Sequence, residues 1–296
     1  SLNGKENEII YEFNKTNLGI LILTETKKKG NGEIKIEDGH ILIYQGVEHN
    51  KRATEGVGCI VNKKLAKNIT SWKGWTERLL TLELTIGKQK TTVIAAYGPN
   101  ENEKKEVKDK FWEDLTIVTE ASTGEILVAG DLNARVGIRK NETEKVIGRH
   151  GEITRNYNGK RMIEYCTSNN LIITNTFYEH KDIHKYTRVV ANRNEKSIID
   201  YILVEKSNRT AIKDVRVMRG AEIDSDHFLL VGKIKQHNKD ENEGKHDHRT
   251  EQQETLKAYR LQEQEVAEKY EEAINKEIQK RQDNMKSMST EQMWQE

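Results

Sequence analysis

Five short blocks place oxygen-donating or proton-transferring side chains at or beside apolar stretches. Glu25 follows LGILILT, Tyr97 and Asn100 sit in YGPN after TTVIAA, and Asp131 and Asn133 sit in GDLN after EILVA. Asp200 lies inside SIIDYILV, and Asp226 and His227 precede FLLVGKI. Carboxylates, amides and an imidazole are the groups that ligate hard cations, orient water and move protons. At a strand end they avoid the burial cost they would carry mid-strand. In open α/β architectures strand ends converge on one rim, where sites are commonly built. Each block alone also has an ordinary reading. Glu25 suits the mouth of a turn, Asp131 a turn whose carboxylate bonds nearby amides, and Asp226-His227 a turn before a last strand. Asp200 differs, because an unpaired carboxylate in IIDYILV would be expensive, so it requires a partner, structural or functional.

The elements that must carry these residues are mostly strands. LGILIL (18–23) reads as a strand buried on both faces, followed by strands at His40–Gln45, Val57–Asn62, Leu79–Ile86 and Thr91–Tyr97. Lys104–Glu120 carries Val107, Phe111, Leu115 and Val118 at helical spacing, which predicts an amphipathic helix. Glu125–Ala129 is a strand, and Gly159–Asn169 a helix with Met162, Ile163 and Cys166 on one face. Strands are expected at Leu171–Thr174, Lys185–Val190, Ser197–Val204, Asp214–Met218 and Phe228–Ile234. Strands punctuated by helices predict an α/β sandwich of two packed sheets with helices outside.

Composition sets the frame. The 296 residues, 34% of them hydrophobic, suffice for one large domain with a real core, or for one domain plus an appendage. No apolar run is long enough to span a membrane, and the start, SLNGKENEII, has no signal-peptide pattern. Cys59 and Cys166 lie far apart without CxxC spacing, which supports neither a zinc site nor a disulfide framework and suits a reducing intracellular compartment. From residue 236 onward there are 10 basic and 15 acidic residues, leaving 39 basic and 33 acidic in the body. That modestly basic body is compatible with a nucleic-acid partner and equally with ordinary surface lysines. Residues 236–249 read as a polar linker, and its His237, His246 and His248 as solvated side chains rather than a metal site. Residues 250–296 read as a charged helical tail, with Tyr259, Val266, Tyr270, Ala273 and Ile278 near helical spacing but without a strict heptad.

Taken together, LTET, YGPN, GDLNARVG, SIIDYILV and SDHFLL resemble, in order, the signature blocks of the endonuclease/exonuclease/phosphatase superfamily, over residues 1–235. NYNGKRMIEYCTSNNLIITNTFY is similar to the stretch between those blocks in endonucleases of RTE-type non-LTR retrotransposons, and the tail to the segment leading towards a reverse transcriptase. The resemblance implies a four-layer α/β sandwich of two packed mixed β-sheets flanked by helices, like that of abasic-site endonucleases. It implies a DNA endonuclease using Mg²⁺ or Mn²⁺ and leaving 3′-hydroxyl and 5′-phosphate ends. It places Glu25 and Asp226 at the metal, Asp131 on the attacking water, and Asn133 on that water or the phosphate. Tyr97 and Asn100 would contact the scissile phosphate, flanked by Thr187 and Ser197. Asp200 would fix His227, whose imidazolium would face the transition state. DNA is the implied partner, a reverse transcriptase domain a possible second, and the nucleus the implied place of action, although no basic localisation cluster is visible.

Two departures matter. The superfamily pattern begins with a strand carrying an Asn that helps organise the metal; here it would lie before Ser1, so the domain is expected to lack its first strand and to be impaired. In YTRVV, relatives often place Trp where Arg188 stands, with local packing as the expected consequence. Two competing readings remain: a phosphatase or deadenylase using the same rim chemistry, and a non-catalytic remnant or co-opted interaction protein.

Overall fold

The computed structural model describes residues 2, 4–142, 144–221 and 225–235, together with 264, 268–269, 271–276 and 278–279. The linker 236–249 with its three histidines, and Tyr259, Val266 and Tyr270 of the tail, lie outside the described residues. The chain divides into two units, Ser1–Arg249 and Thr250–Glu296. In the second, the described residues are helical and exposed, Ile278 at 49%. Among the described residues no helix is long and apolar enough to cross a membrane.

The first unit has four layers. The helix α1 (Glu6–Thr16) packs Ile9 and Phe13 onto Leu42 and Ile60, on the outer face of a four-stranded sheet. That sheet comprises β1 (Ile20–Thr24), β2 (Asn31–Lys35), β3 (Ile41–Gln45) and β4 (Val57–Val61), in the order β1-β4-β3-β2. After the short helix α2 (Lys63–Ala66) come β5 (Ile69–Thr76), β6 (Leu79–Ile86), β7 (Gln89–Ala96), the helix α3 (Lys105–Ala121) and β8 (Glu125–Asp131). The helix α4 (Tyr157–Ser168) and β9 (Leu171–Ile173) follow, then a hairpin of β10 (Arg188–Val190) and β11 (Glu195–Ser197), then β12 (Asp200–Glu205). The six-stranded sheet runs β5-β6-β7-β8-β12-β9. Its inner face meets the first sheet through Leu80, Leu82 and Val93 against Ile43, Cys59 and Val61. Its outer face carries Phe111, Trp112 and Leu115 of α3 and Met162, Tyr165 and Cys166 of α4. A final pair, β13 (Ile212–Met218) and β14 (Leu229–Ile234), closes the unit.

Only the larger sheet is mixed, through the parallel pair β7–β8; the four-stranded sheet is antiparallel throughout. Val107 is 41% exposed, because the buried stripe of α3 is centred between Phe111 and Trp112 and leaves Val107 at its margin. The stretch Ser197–Val204 is two strands, not one. The N–H of Ile198 donates to Glu152 Oε1 (2.9 Å), and those of Ile199 and Asp200 to Thr187 Oγ1 (3.0 and 3.2 Å). Side chains thereby satisfy three successive amides that a neighbouring strand would otherwise hold. The chain crosses from the hairpin to the large sheet there, which puts Asp200 first in β12.

The strand β1 is only partly buried along its length, not enclosed on both faces. Among the described residues it ends its sheet, and β14 pairs with β13 alone. Ile20, Ile22, Leu230 and Val231 line a cavity of about 830 Å³ that runs to Glu25, Asp131 and His227. Glu12 lines it too, and its buried Oε2 has no hydrogen-bond partner among the described residues. Partial exposure of β1 follows from this cavity.

Candidate active site

The rim forms where β1, β7, β8 and β12 end or begin. Asp131 closes β8 and pairs in register with Asp200 on β12, so two carboxylates stand directly opposite across neighbouring strands. Such like-charged pairs are destabilising unless a cation or proton intervenes. His227 supplies one: its Nδ1 lies 3.0 Å from Asp200 Oδ2, and its Nε2 lies 4.0 Å from Asp131 Oδ2. The second separation exceeds a hydrogen bond, so both atoms can engage a third group. The histidine is held by backbone: Val189 donates to Asp226 O (2.9 Å) and Phe228 to Thr187 O (2.7 Å).

The other side of the rim is built from two left-handed residues. Glu25, at φ 50°, turns off the end of β1 and accepts from the Tyr97 hydroxyl through Oε1 (2.8 Å). Asn133, at φ 47°, donates its backbone N–H to Asp131 Oδ1 (2.9 Å) and its side-chain amide to Gly98 O (3.0 Å). Asparagine tolerates that conformation better than most residues. The turn role of the Asp131 carboxylate is therefore real, and it uses one oxygen only. Gly98 lies against Leu132, whose carbonyl would be 2.3 Å from an added Cβ, so the YGPN segment and β8 approach as closely as only glycine allows.

Burial and the charge of Asp200 push the Asp131 carboxyl up, the nearby His227 only partly offsetting them. Burial acts to lower the His227 imidazole, but the Asp200 carboxylate and its hydrogen bond, then Asp131 and Asp226, raise it to about 9. His227 is therefore an imidazolium at neutral pH. Burial and the hydrogen bond to Glu25 raise Tyr97 far above the ordinary phenol range, which keeps it a hydroxyl donor.

Among the described residues, Asp131, Asp200 and His227 form a group whose ligand atoms all lie within 4.8 Å of one another. A hard divalent cation suits the acidic side of this rim. Oxygen donors crowd there, and Asp200 and, less strongly, Glu25 add to the effect of burial in pushing the Asp131 carboxyl up, which a bound cation would relieve.

Not every sequence-derived position reaches the rim in the same way. The Nε–H of Arg188 donates to Asp226 Oδ2 (2.7 Å), so this arginine holds a side chain expected at the metal, and its role is not local packing alone. Thr187 is fully buried and its hydroxyl oxygen serves the Ile199 and Asp200 amides. Ser197 is 9% exposed at the end of β11, and Asn100 is exposed on the YGPN segment. Residues unremarked in the sequence carry much of the positioning. Asn156 donates to Asn133 O (3.1 Å), Asn158 to Pro99 O (2.8 Å), and Asn175 to Asp200 O (2.9 Å). Their signal, asparagine in a polar turn or after a short apolar run, is too common to single out.

Replacing Thr187 by valine keeps the shape but strands one buried and one half-buried N–H group. A loss of about 2–4 kcal/mol in unfolding free energy is expected, measurable by urea titration.

The fold is that of the hydrolases built on an α/β sandwich. The family described as endonuclease-reverse transcriptase matches residues 91–231. Craniofacial development protein 2 of Bos taurus is 30% identical over 234 residues, covering 78% of this chain and 39% of that protein. The protein of the same name from Tragulus javanicus is likewise 30% identical over 234 residues, covering 78% of this chain and 40% of that protein. The chain thus spans about two fifths of the length of these curated relatives. Among solved structures, AP endonuclease LMAP from Leishmania major superposes with a TM-score of 0.58 at 16% identity, over 77% of this chain and 82% of that one. The endonuclease domain of TRAS1, a telomere-specific non-LTR retrotransposon, gives 0.53 at 14% identity, over 78% and 92%. Over residues 91–231 the chain thus resembles the endonuclease/exonuclease/phosphatase superfamily, whose fold it shares.

Proposed function

We propose that residues 1–235 are a divalent-cation-dependent DNA endonuclease that leaves 3′-hydroxyl and 5′-phosphate ends, of the kind that primes a reverse transcriptase in the nucleus. The observation that carries this reading is the Asp200–His227–Asp131 arrangement, with Nε2 of His227 and Oδ2 of Asp131 turned towards each other across 4.0 Å. Asp131 takes a proton from water, whose oxygen attacks phosphorus as the bond to O3′ breaks, and O3′ leaves to be protonated as a hydroxyl. His227, kept charged by Asp200, donates to a non-bridging oxygen where negative charge accumulates. Asn133 and Tyr97 orient the water and phosphate, and Asn100 lies beside them. Mg²⁺ or Mn²⁺ bound at Glu25, with Asp226 on release from Arg188, would supply charge neutralisation at the phosphate. The AP endonuclease and TRAS1 likenesses support a DNA substrate over an inositol phosphate.

The cavity between β1 and β14 supports the expectation that the domain takes one further strand there, and the orphaned Glu12 oxygen supports it too. The test is conversion of supercoiled plasmid to open circles with Mg²⁺, with EDTA, and with inositol phosphates as the rival substrate, using this chain and a form extended upstream. Mg²⁺-dependent nicking, greater in the extended form, is expected. Phosphate release from inositol phosphates without nicking would make it a phosphatase. No hydrolysis by either form would favour a co-opted, non-enzymatic domain.

A further inference from the structure

We infer that Arg78 is a positioning residue that holds three rim groups at once through the segment 97–103. It sits in the turn between β5 and β6, and its side chain is 12% exposed. One guanidinium nitrogen donates to the carbonyls of Tyr97 (3.5 Å) and Gly98 (3.4 Å), and the other to Glu55 Oε1 and Glu103 Oε1, both at 3.3 Å. Its carbon lies 5.1 Å from the centre of the Tyr97 ring, and its own carbonyl accepts the Tyr97 N–H (2.9 Å).

The contacts to Tyr97, Gly98 and Glu103 each lead to the rim in one further step. Tyr97 carries the hydroxyl that binds Glu25. The Gly98 carbonyl also receives the Asn133 side-chain amide. The Glu103 oxygen that binds Arg78 also accepts the Asn100 backbone N–H (3.1 Å). Glu55 ties the same guanidinium to the chain just before β4, on the first sheet. A planar fork of donors meets two carbonyls and two carboxylates together; a lysine, a point charge on a flexible stem, does not. Arg78 thus couples the strand end bearing Glu25 to the strand end bearing Asp131.

The consequence for catalysis rests on the nuclease reading; the positioning itself does not. The test compares wild type with Arg78→Met, Arg78→Lys, Tyr97→Phe and the Arg78→Met/Tyr97→Phe pair, by crystal structure and by Mn²⁺ titration followed by electron paramagnetic resonance. Arg78→Met is expected to release the Tyr97 hydroxyl from Glu25 and the Asn133 amide from Gly98, and to weaken Mn²⁺ binding about tenfold. Arg78→Lys is expected to behave like Arg78→Met. The pair should lose no more Mn²⁺ affinity than either single change, because both act along one path. The inference is overturned if the rim is unchanged in Arg78→Met crystals, if lysine restores the wild-type rim, or if the two losses add. Failure of wild type to nick DNA would remove the nuclease reading alone, since the crystal comparison decides the role of Arg78 by itself.

Discussion

Asp131→Asn is expected to lower plasmid nicking by about 10²–10⁴-fold, the range for loss of a positioned general base, while leaving the fold as stable as before or more so. Two facts on the same side chain set these opposite signs. Its Oδ2 faces the Nε2 of His227, where a water proton would be taken. The carboxyl is also buried and directly opposite Asp200, so the native state bears the cost of holding that charge. Asparagine keeps an oxygen for the Asn133 N–H and removes the charge. The expected gain is about 0.5–2 kcal/mol, as found when a strained functional group is neutralised. Thermal melting beside the nicking assay checks both signs; a variant that lost activity and stability together would indicate a structural role for Asp131.

In metal-free protein, Asp200→Asn is expected to lower the His227 imidazole from about 9 towards its ordinary value, followed by NMR titration of the ring. Burial alone lowers the imidazole, and the Asp200 carboxylate is the principal group opposing it. The folded value in the wild type lies above the unfolded one. Its contribution to stability is therefore fully present below about pH 6.5 and is lost as pH rises through about 9. That contribution is about 3 kcal/mol at most. In Asp200→Asn the decline in stability between these pH values should disappear, and nicking near neutrality should fall because His227 no longer arrives charged. An imidazole still titrating near 9 in that variant would mean that Asp200 does not set its charge.

Much of the rim was legible because strand ends are legible. An apolar run followed by Glu25, by YGPN or by GDLN announces both the strand and the side it presents, and β6 matches the sequence reading residue for residue. What escaped was set by partners distant in sequence. The break inside Ser197–Val204 depends on Thr187 and Glu152 taking the place of a strand, which no alternation of apolar residues records. Arg188 holding Asp226 is likewise a match between side chains 38 positions apart. The helix α1 was within reach, since Ile9 and Phe13 stand one turn apart ahead of the left-handed Asn17. The spacing had no weight beside the strand signals that followed it. Arg78 gave no sign, because an arginine in a hairpin turn is ordinary until its four acceptors are placed.

The pairing of β12 between β8 and β9 has a kinetic consequence. Glu25 and His227 stand about two hundred positions apart in the chain, and Asp200 joins Asp131 only once a late strand has entered the middle of an earlier sheet. Contacts of such long sequence separation form slowly. During synthesis the early strands and α3 can assemble while His227 is still unmade, so the rim is among the last features to exist. Reaction competence should therefore trail the appearance of secondary structure, and a nascent or partly opened chain would carry Glu25 and Asp131 with no imidazolium beside them.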